Sequence, residues 1–310
     1  MQQSQEKGST LRFIVGVLIG IAIFAGAIVA MGGRWENVDL TPEEPTAEES
    51  ARQSLAVEAR NISDSAQHLL DSSPDSMELA AIHDTASAYV EQLGGVWVPW
   101  PSGAPSGYTN PPLETAAPAE ASGDQLLTAL EEFSDSALAT MDSAEPESQT
   151  LLASMALSSK LLAGNYADSR GSSASCGELD ITAAAQVSAT PELLTVADNS
   201  RQWIETDTAR MDSDSREAEV ARVESLNSFI EAMLATGLAD DREAFAAYPT
   251  LSEEETYTQV GLSDLSSSLV SAAASASGDD RSAIISYACS LYVSPAERSA
   301  ALPFPGLTTP

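Results

Sequence analysis

Phe13 to Met31 is an unbroken apolar run, and it constrains everything that follows it. About 20 such residues in a helix, at ~1.5 Å rise per residue, span a hydrocarbon core of roughly 30 Å. Lys7 and Arg12 precede the run, while Arg34 after it is outnumbered by Glu36, Asp39, Glu43, Glu44, Glu48 and Glu49. The positive-inside bias counts Lys and Arg near a span. It therefore keeps residues 1–12 cytoplasmic, makes 13–33 a transmembrane signal-anchor and delivers the body to the outside. A cleaved signal peptide is the rival reading, because Ala25-Gly26-Ala27 matches a signal-peptidase site. Ile28 to Met31 continue the apolar run where a polar cleavage region belongs, which favours the retained anchor. The first cysteine after the run is Cys176, which excludes lipid attachment at a mature N-terminal Cys. The expectation is a single-pass protein of the cell membrane with an extracytoplasmic body.

The chain carries 46 acidic against 14 basic residues, a formal net charge of −32. Such a surface repels phosphate, so nucleic acid is excluded as a partner. Solubility and self-repulsion explain the charge most simply; a surface that collects divalent cations or docks a basic partner is the sharper alternative. Hydrophobic residues make up 43% of the chain and aromatics only 5%, so a core of small side chains is expected, which suits close helix packing. Both cysteines, Cys176 and Cys289, lie in the second half. An even count outside the cytoplasm favours a disulfide, and closing a loop of ~110 residues is worth roughly 4–5 kcal/mol.

Residues 34–45 form an acidic stalk containing prolines. Thr46-Ala-Glu-Glu49 reads as a capping box, followed by Leu55, Ala59, Ile62, Ala66 and Leu69 on one helical face. Ser73-Pro74 reads as a new helix start. Leu79, Ile82, Ala86, Tyr89 and Leu93 make the second stripe, which Gly94-Gly95 ends. Residues 96–123 hold too many Pro and Gly for regular structure. Helical period returns with Leu126, Leu130, Phe133, Ala137 and Met141, and a break at Glu145-Pro146 precedes a fourth helix with Leu151, Leu152, Met155 and Leu162. After a linker at 171–175 come a helix from Thr190-Pro191, an interruption at 211–215, a helix ending at Gly237, one entered by a Ser252/Glu255 box, and a last one after Gly278. The pattern predicts an all-α body of two up-down bundles, 46–170 and 176–302, with a tail at 303–310.

The first half has a helix pair ending in Leu93-Gly-Gly95, a Pro-rich loop, an Ala/Leu/Glu helix and then Leu151-Leu-Ala-Ser-Met-Ala156. It resembles the ferritin-like domain of uncharacterised actinobacterial envelope proteins. Leu302-Pro-Phe-Pro-Gly-Leu307 is similar to the tail on which such proteins end. The resemblance implies a four-helix bundle, which in ferritin-like proteins holds two metals through Glu and Glu-x-x-His ligands. Here Ser65 and Ala80 stand three residues before the two histidines, His68 and His83. The resemblance therefore implies a degenerate, metal-free bundle without oxidase activity.

His68 and His83 lie beside the apolar stripes, so they face each other with Glu58 or Glu78 as weak metal candidates, or serve as hydrogen-bonded interface histidines. Asp207, Asp212 and Asp214 offer oxygen ligands, yet their spacing fits no EF-hand loop and reads more simply as a solvated helix break. No G-x-S-x-G elbow occurs, the one S-x-x-K match (Ser4 to Lys7) falls before the apolar run, and no histidine follows His83, so no Ser-His-Asp triad can form within the second half. P-loop and dinucleotide fingerprints are absent as well. No cofactor is expected. Trp97, Trp100 and Tyr108 occupy a proline-held strip that either contacts a partner or folds back as a lid over the first bundle. These features lead to one expectation, a non-catalytic accessory or scaffold protein of the cell envelope. It would be tethered to the membrane by its N-terminal helix and would serve another envelope or membrane-complex protein. A bundle that carries a metal or small ligand is the alternative.

Overall fold

The computed structural model describes residues 45–100, 102–110, 121–252 and 255–307, the side chains of Asp214 and Ser215 aside. Among them the secondary structure is helical throughout: α1 Ala47–Ser72, α2 Met77–Gln92, α3 Gly123–Thr140, α4 Pro146–Ser169, α5 Ile181–Ser188, α6 Pro191–Thr208, α7 Ser213–Leu234, α8 Tyr257–Ser275, α9 Gly278–Ser290 and α10 Pro295–Ala300. No described helix is long and apolar enough to cross a membrane. The expected span at 13–33 and the stalk up to residue 44 lie outside the described residues.

Local chemistry sets the helix starts. Hydroxyls of Thr46, Ser76, Ser122, Thr190, Thr256 and Ser294 each accept a hydrogen bond from the amide three residues on, satisfying an orphan donor of the first turn. Three expected starts are corrected. Thr46 caps α1 alone, because Glu49 turns its carboxylate to Arg52 and Gln53 instead of back to the cap. Ser73 ends α1, and Ser76 opens α2. Ser252 and Glu255 make a local turn (Ser252 N to Glu255 Oε2, 2.9 Å), while the helix begins later, at the Thr256/Gln259 capping box. Two short helices, α5 and α10, have no counterpart in the expectation.

In the first half α1 packs against α2 and α3, and α4 packs against the same two. The stripes read from the sequence are the core: Leu55, Ala59, Ile62, Ala66, Leu79, Ile82, Ala86, Tyr89 and Leu93 are all buried. In the second half α6 contacts α7 and α8, while α5 bridges α7 and α9. Helices α6 and α8 approach closely, with Ser200 Oγ donating to Gly261 O at 2.9 Å. A Cβ on Gly261 would meet the Ser200 backbone at 3.3 Å, so a side chain there would push the helices apart.

Packing does not stop at the 171–175 linker. Leu152 through Ser159 of α4 are buried without a break, over more than two turns. The reason is that α4 lies against α2 and α3 on one side and α8, α9 and α10 on the other. A helix buried on every side carries small and apolar residues all round, and Ala153, Ser154, Ala156, Ser158, Ser159 and Ala163 supply the small ones. One hydrophobic cluster therefore includes residues from both halves. Each half adds a stacked aromatic pair, Tyr89 on Phe133 at 5.2 Å and Phe229 on Tyr287 at 4.3 Å. Burial pushes both phenols up, and Ser158 and Ser225 sit beside their hydroxyls.

Candidate functional site

Three surfaces merit description, and the loop after α2 is the first. Trp100 N donates to Asn110 Oδ1 at 3.0 Å, and Asn110 Nδ2 donates back to Trp100 O at 2.8 Å. That pair of bonds ties Trp100 to Asn110. The Trp100 and Tyr108 rings meet at 5.2 Å with a 56° tilt. Val96 packs against the core, whereas Trp97 is 41% exposed. The loop is thus organised by its own contacts, with one indole directed outward.

The second surface is a cavity of about 610 Å³ between α1 and α3. Ile62, Leu126 and Ala129 give it an apolar floor, and Glu58, Glu132 and Asp135 bring carboxylates to it. Burial holds the Glu58 carboxyl above its ordinary range; Ser136 eases that shift and nearby Glu132 adds to it. No Lys or Arg lines the cavity. Asn61 Oδ1 is buried with no hydrogen-bond partner. Ser65, on the same face and 8% exposed, makes none of the hydrogen bonds found among the described residues.

The third is a cavity of about 870 Å³ beneath residues 302–307, bordered by α8 and α10 and including Leu151, Leu262, Tyr292 and Phe304. Tyr292 gives or takes a hydrogen bond with Ser266 at 2.7 Å, and burial pushes its phenol up to about 12. Asp264 at the edge is also pushed up by burial.

The two histidines have different settings. His83 Nδ1 lies 2.9 Å from Ser63 Oγ and 3.2 Å from Ser63 O, an interface contact between α1 and α2, while His68 is exposed. Among the described residues no three His, Cys, Asp or Glu side chains converge on a metal-sized point. Asp207 caps the next helix in space: its Oδ2 accepts from Thr258 N at 2.8 Å and Thr258 Oγ1 at 3.1 Å. The Asp214 side chain lies outside the described residues. Cys176 and Cys289 form a disulfide with Cα atoms 5.6 Å apart, tying the segment that enters the second half to α9.

Scarce cations hold the joints. Arg298 of α10 donates to Asn165 Oδ1 at 2.8 Å and Tyr292 O at 3.1 Å, and pairs with Asp168. Arg222 of α7 reaches Glu297 at 2.6 Å and forms an ion pair with Glu219 at 3.0 Å. Arg281 joins the ends of α3 and α8. Sequence reading passed over all three. Arg281 had a signal, since a cation in the first turn of a helix opposes that helix's own dipole and needs a partner elsewhere.

No family model matches the chain, and neither a curated protein nor a solved structure matches it. The class that the fold defines is an all-α protein with a shared helical core and one disulfide.

Proposed function

We propose that this chain is a membrane-anchored, extracytoplasmic accessory or scaffold protein of a cell envelope, built on a degenerate ferritin-like body and without catalysis of its own. The Phe13–Met31 run holds it in the membrane, and the 96–110 loop docks a second envelope or membrane-complex protein. The observation that carries the reading is the outward Trp97 on a loop closed by Asn110. A rigid strip that presents an indole loses little conformational freedom on binding, and Trp is the residue most enriched at binding hot spots.

The test is Trp97→Ala with Trp100→Ala in the full chain, isolated in mild detergent. A stoichiometric partner should accompany the wild type and be lost from the double variant, at least tenfold. The melting temperature should move by no more than a few degrees. A large fall in melting temperature with partner recovery unchanged would make the loop a lid and remove the proposal.

A further inference from the structure

The cavity between α1 and α3 has an electrostatic problem that the protein itself solves only in part. Glu58 is held part-buried beside Glu132, with no cation among the groups acting on it. Asp135 joins them in the lining, which holds no Lys or Arg, though Lys160 acts on Asp135 from outside it. Glu58 has the Ser136 hydroxyl but no cation to ease it, and two carboxylates placed this close are a net cost to the folded state. One turn along α1 from Glu58 lies the orphaned acceptor Asn61 Oδ1, and two turns along lies Ser65, buried and without a hydrogen bond. Seven residues of helix place Ser65 about 10 Å from Glu58. Between these polar ends the floor is Ile62, Leu126 and Ala129.

The lining therefore alternates: an anionic end, an apolar stretch and an acceptor end. A single metal ion does not fit it, because no three carboxylate or imidazole groups among the described residues converge on one point. The complementary solute has a cationic donor at one end, methylenes in the middle and a second N–H donor about 10 Å away. We propose that the α1–α3 cavity is a binding site for a linear aliphatic polyamine, with an ammonium at Glu58, Glu132 and Asp135 and a second amine at Asn61 and Ser65. The chain between the amines covers Ile62, Leu126 and Ala129. The site is independent of the 96–110 loop and stands or falls separately from the docking role.

Spermidine titrated into the full chain at 0.15 M salt is the probe, because that ionic strength screens the diffuse attraction of a −32 surface over roughly 8 Å. Saturable binding of one spermidine per chain is expected. Glu58→Gln with Glu132→Gln should weaken it at least about tenfold, the size expected for losing charge-assisted hydrogen bonds. Glu224→Gln with Glu231→Gln removes the same charge from the exposed face of α7 and should change affinity less than about twofold. Ala129→Leu fills the floor without altering charge and should also abolish binding. In the absence of ligand, Glu58→Gln should leave the melting temperature unchanged or raise it, which a purely structural Glu58 would not do. Binding that never saturates, or that falls equally in both charge variants, shows only bulk attraction and overturns the proposal. Calcium that displaces spermidine one for one, through the same carboxylates, overturns it in favour of a metal.

Discussion

Arg281 shows how much one side chain does in a protein with so few cations. It is 4% exposed, and its guanidinium donates to Leu138 O at 2.9 Å, Ala276 O at 2.7 Å and Ala273 O at 3.3 Å, with Asp142 Oδ1 at 2.9 Å. Those carbonyls are C-terminal groups of α3 and α8, at the negative ends of two helix dipoles, and of the three Ala273 O also accepts the Ala276 amide. Arg281→Met keeps the stem and removes every donor, so it should cost about 2–5 kcal/mol in urea denaturation. Arg281→Lys should recover only a small part, since a point-like ammonium cannot reach carbonyls that a planar fork spans. An unchanged urea midpoint for Arg281→Met would show that water replaces the guanidinium without loss. At this scale the sequence was least informative. Glu58, Asn61 and Ser65 share a helical face next to the apolar stripe, but polar residues bordering a stripe are commonplace. What sets these apart is their position over a cavity shared with α3, which is distant in sequence.

The segment after α10 is the element whose role changes most between sequence and structure. The tail was expected at 303–310; residues 302–307 lie across the junction of the two halves, entering through a cis Leu302–Pro303 peptide. Ser154 Oγ, buried on α4, donates to Pro305 O at 2.8 Å, and the Phe304 ring lies 5.8 Å from Tyr89 on α2. Gly306 has φ +79°, and a Cβ there would sit 2.7 Å from Ser266 O on α8. Positive φ and a backbone contact both demand glycine. Deleting residues 302–310 should destabilise the protein by about 2–4 kcal/mol, from the lost Phe304 burial and the orphaned Ser154 hydroxyl. Gly306→Ala alone should give a smaller loss in the same thermal melt, whereas a deletion with unchanged melting would mean the segment only rests on the surface. Helices with clear apolar stripes were legible because 3.6-residue periodicity survives packing. Their starts were less so, since Ser252/Glu255 and Thr256/Gln259 both match a capping box and only the second is followed at once by helix. Helix α5 has too few turns to show a stripe, whereas α4 was legible as a helix but its burial on both sides was not, because that depends on the second half packing against it.

For the molecule as a whole, α4 makes the two halves share one core while the surface carries most of the 46 acidic residues. That combination sets the response to pH. Burial raises the carboxyl groups of Glu58, Glu219 and Asp264. A group raised in the folded state contributes stability that is present at low pH and lost as pH rises through its folded value. Three other carboxylates run the opposite way. A hydrogen bond from Arg52 lowers Glu49 to about 2, one from Arg242 lowers Asp240, and one from the Ser252 backbone lowers Glu255. Their contribution is intact at neutral pH and disappears only in stronger acid. As pH falls, the raised groups take up protons before the lowered ones do, and self-repulsion of the acidic surface eases along the way. The melting temperature should therefore rise as pH falls from about 8 toward about 5, then drop steeply below about 4. Glu58→Gln should flatten the rise, because it supplies at every pH the neutral side chain that acid supplies to the wild type. Circular dichroism melts across that range check both statements. A melting temperature that declined steadily from pH 8 downward would mean that the hydrogen-bonded carboxylates outweigh the buried ones throughout.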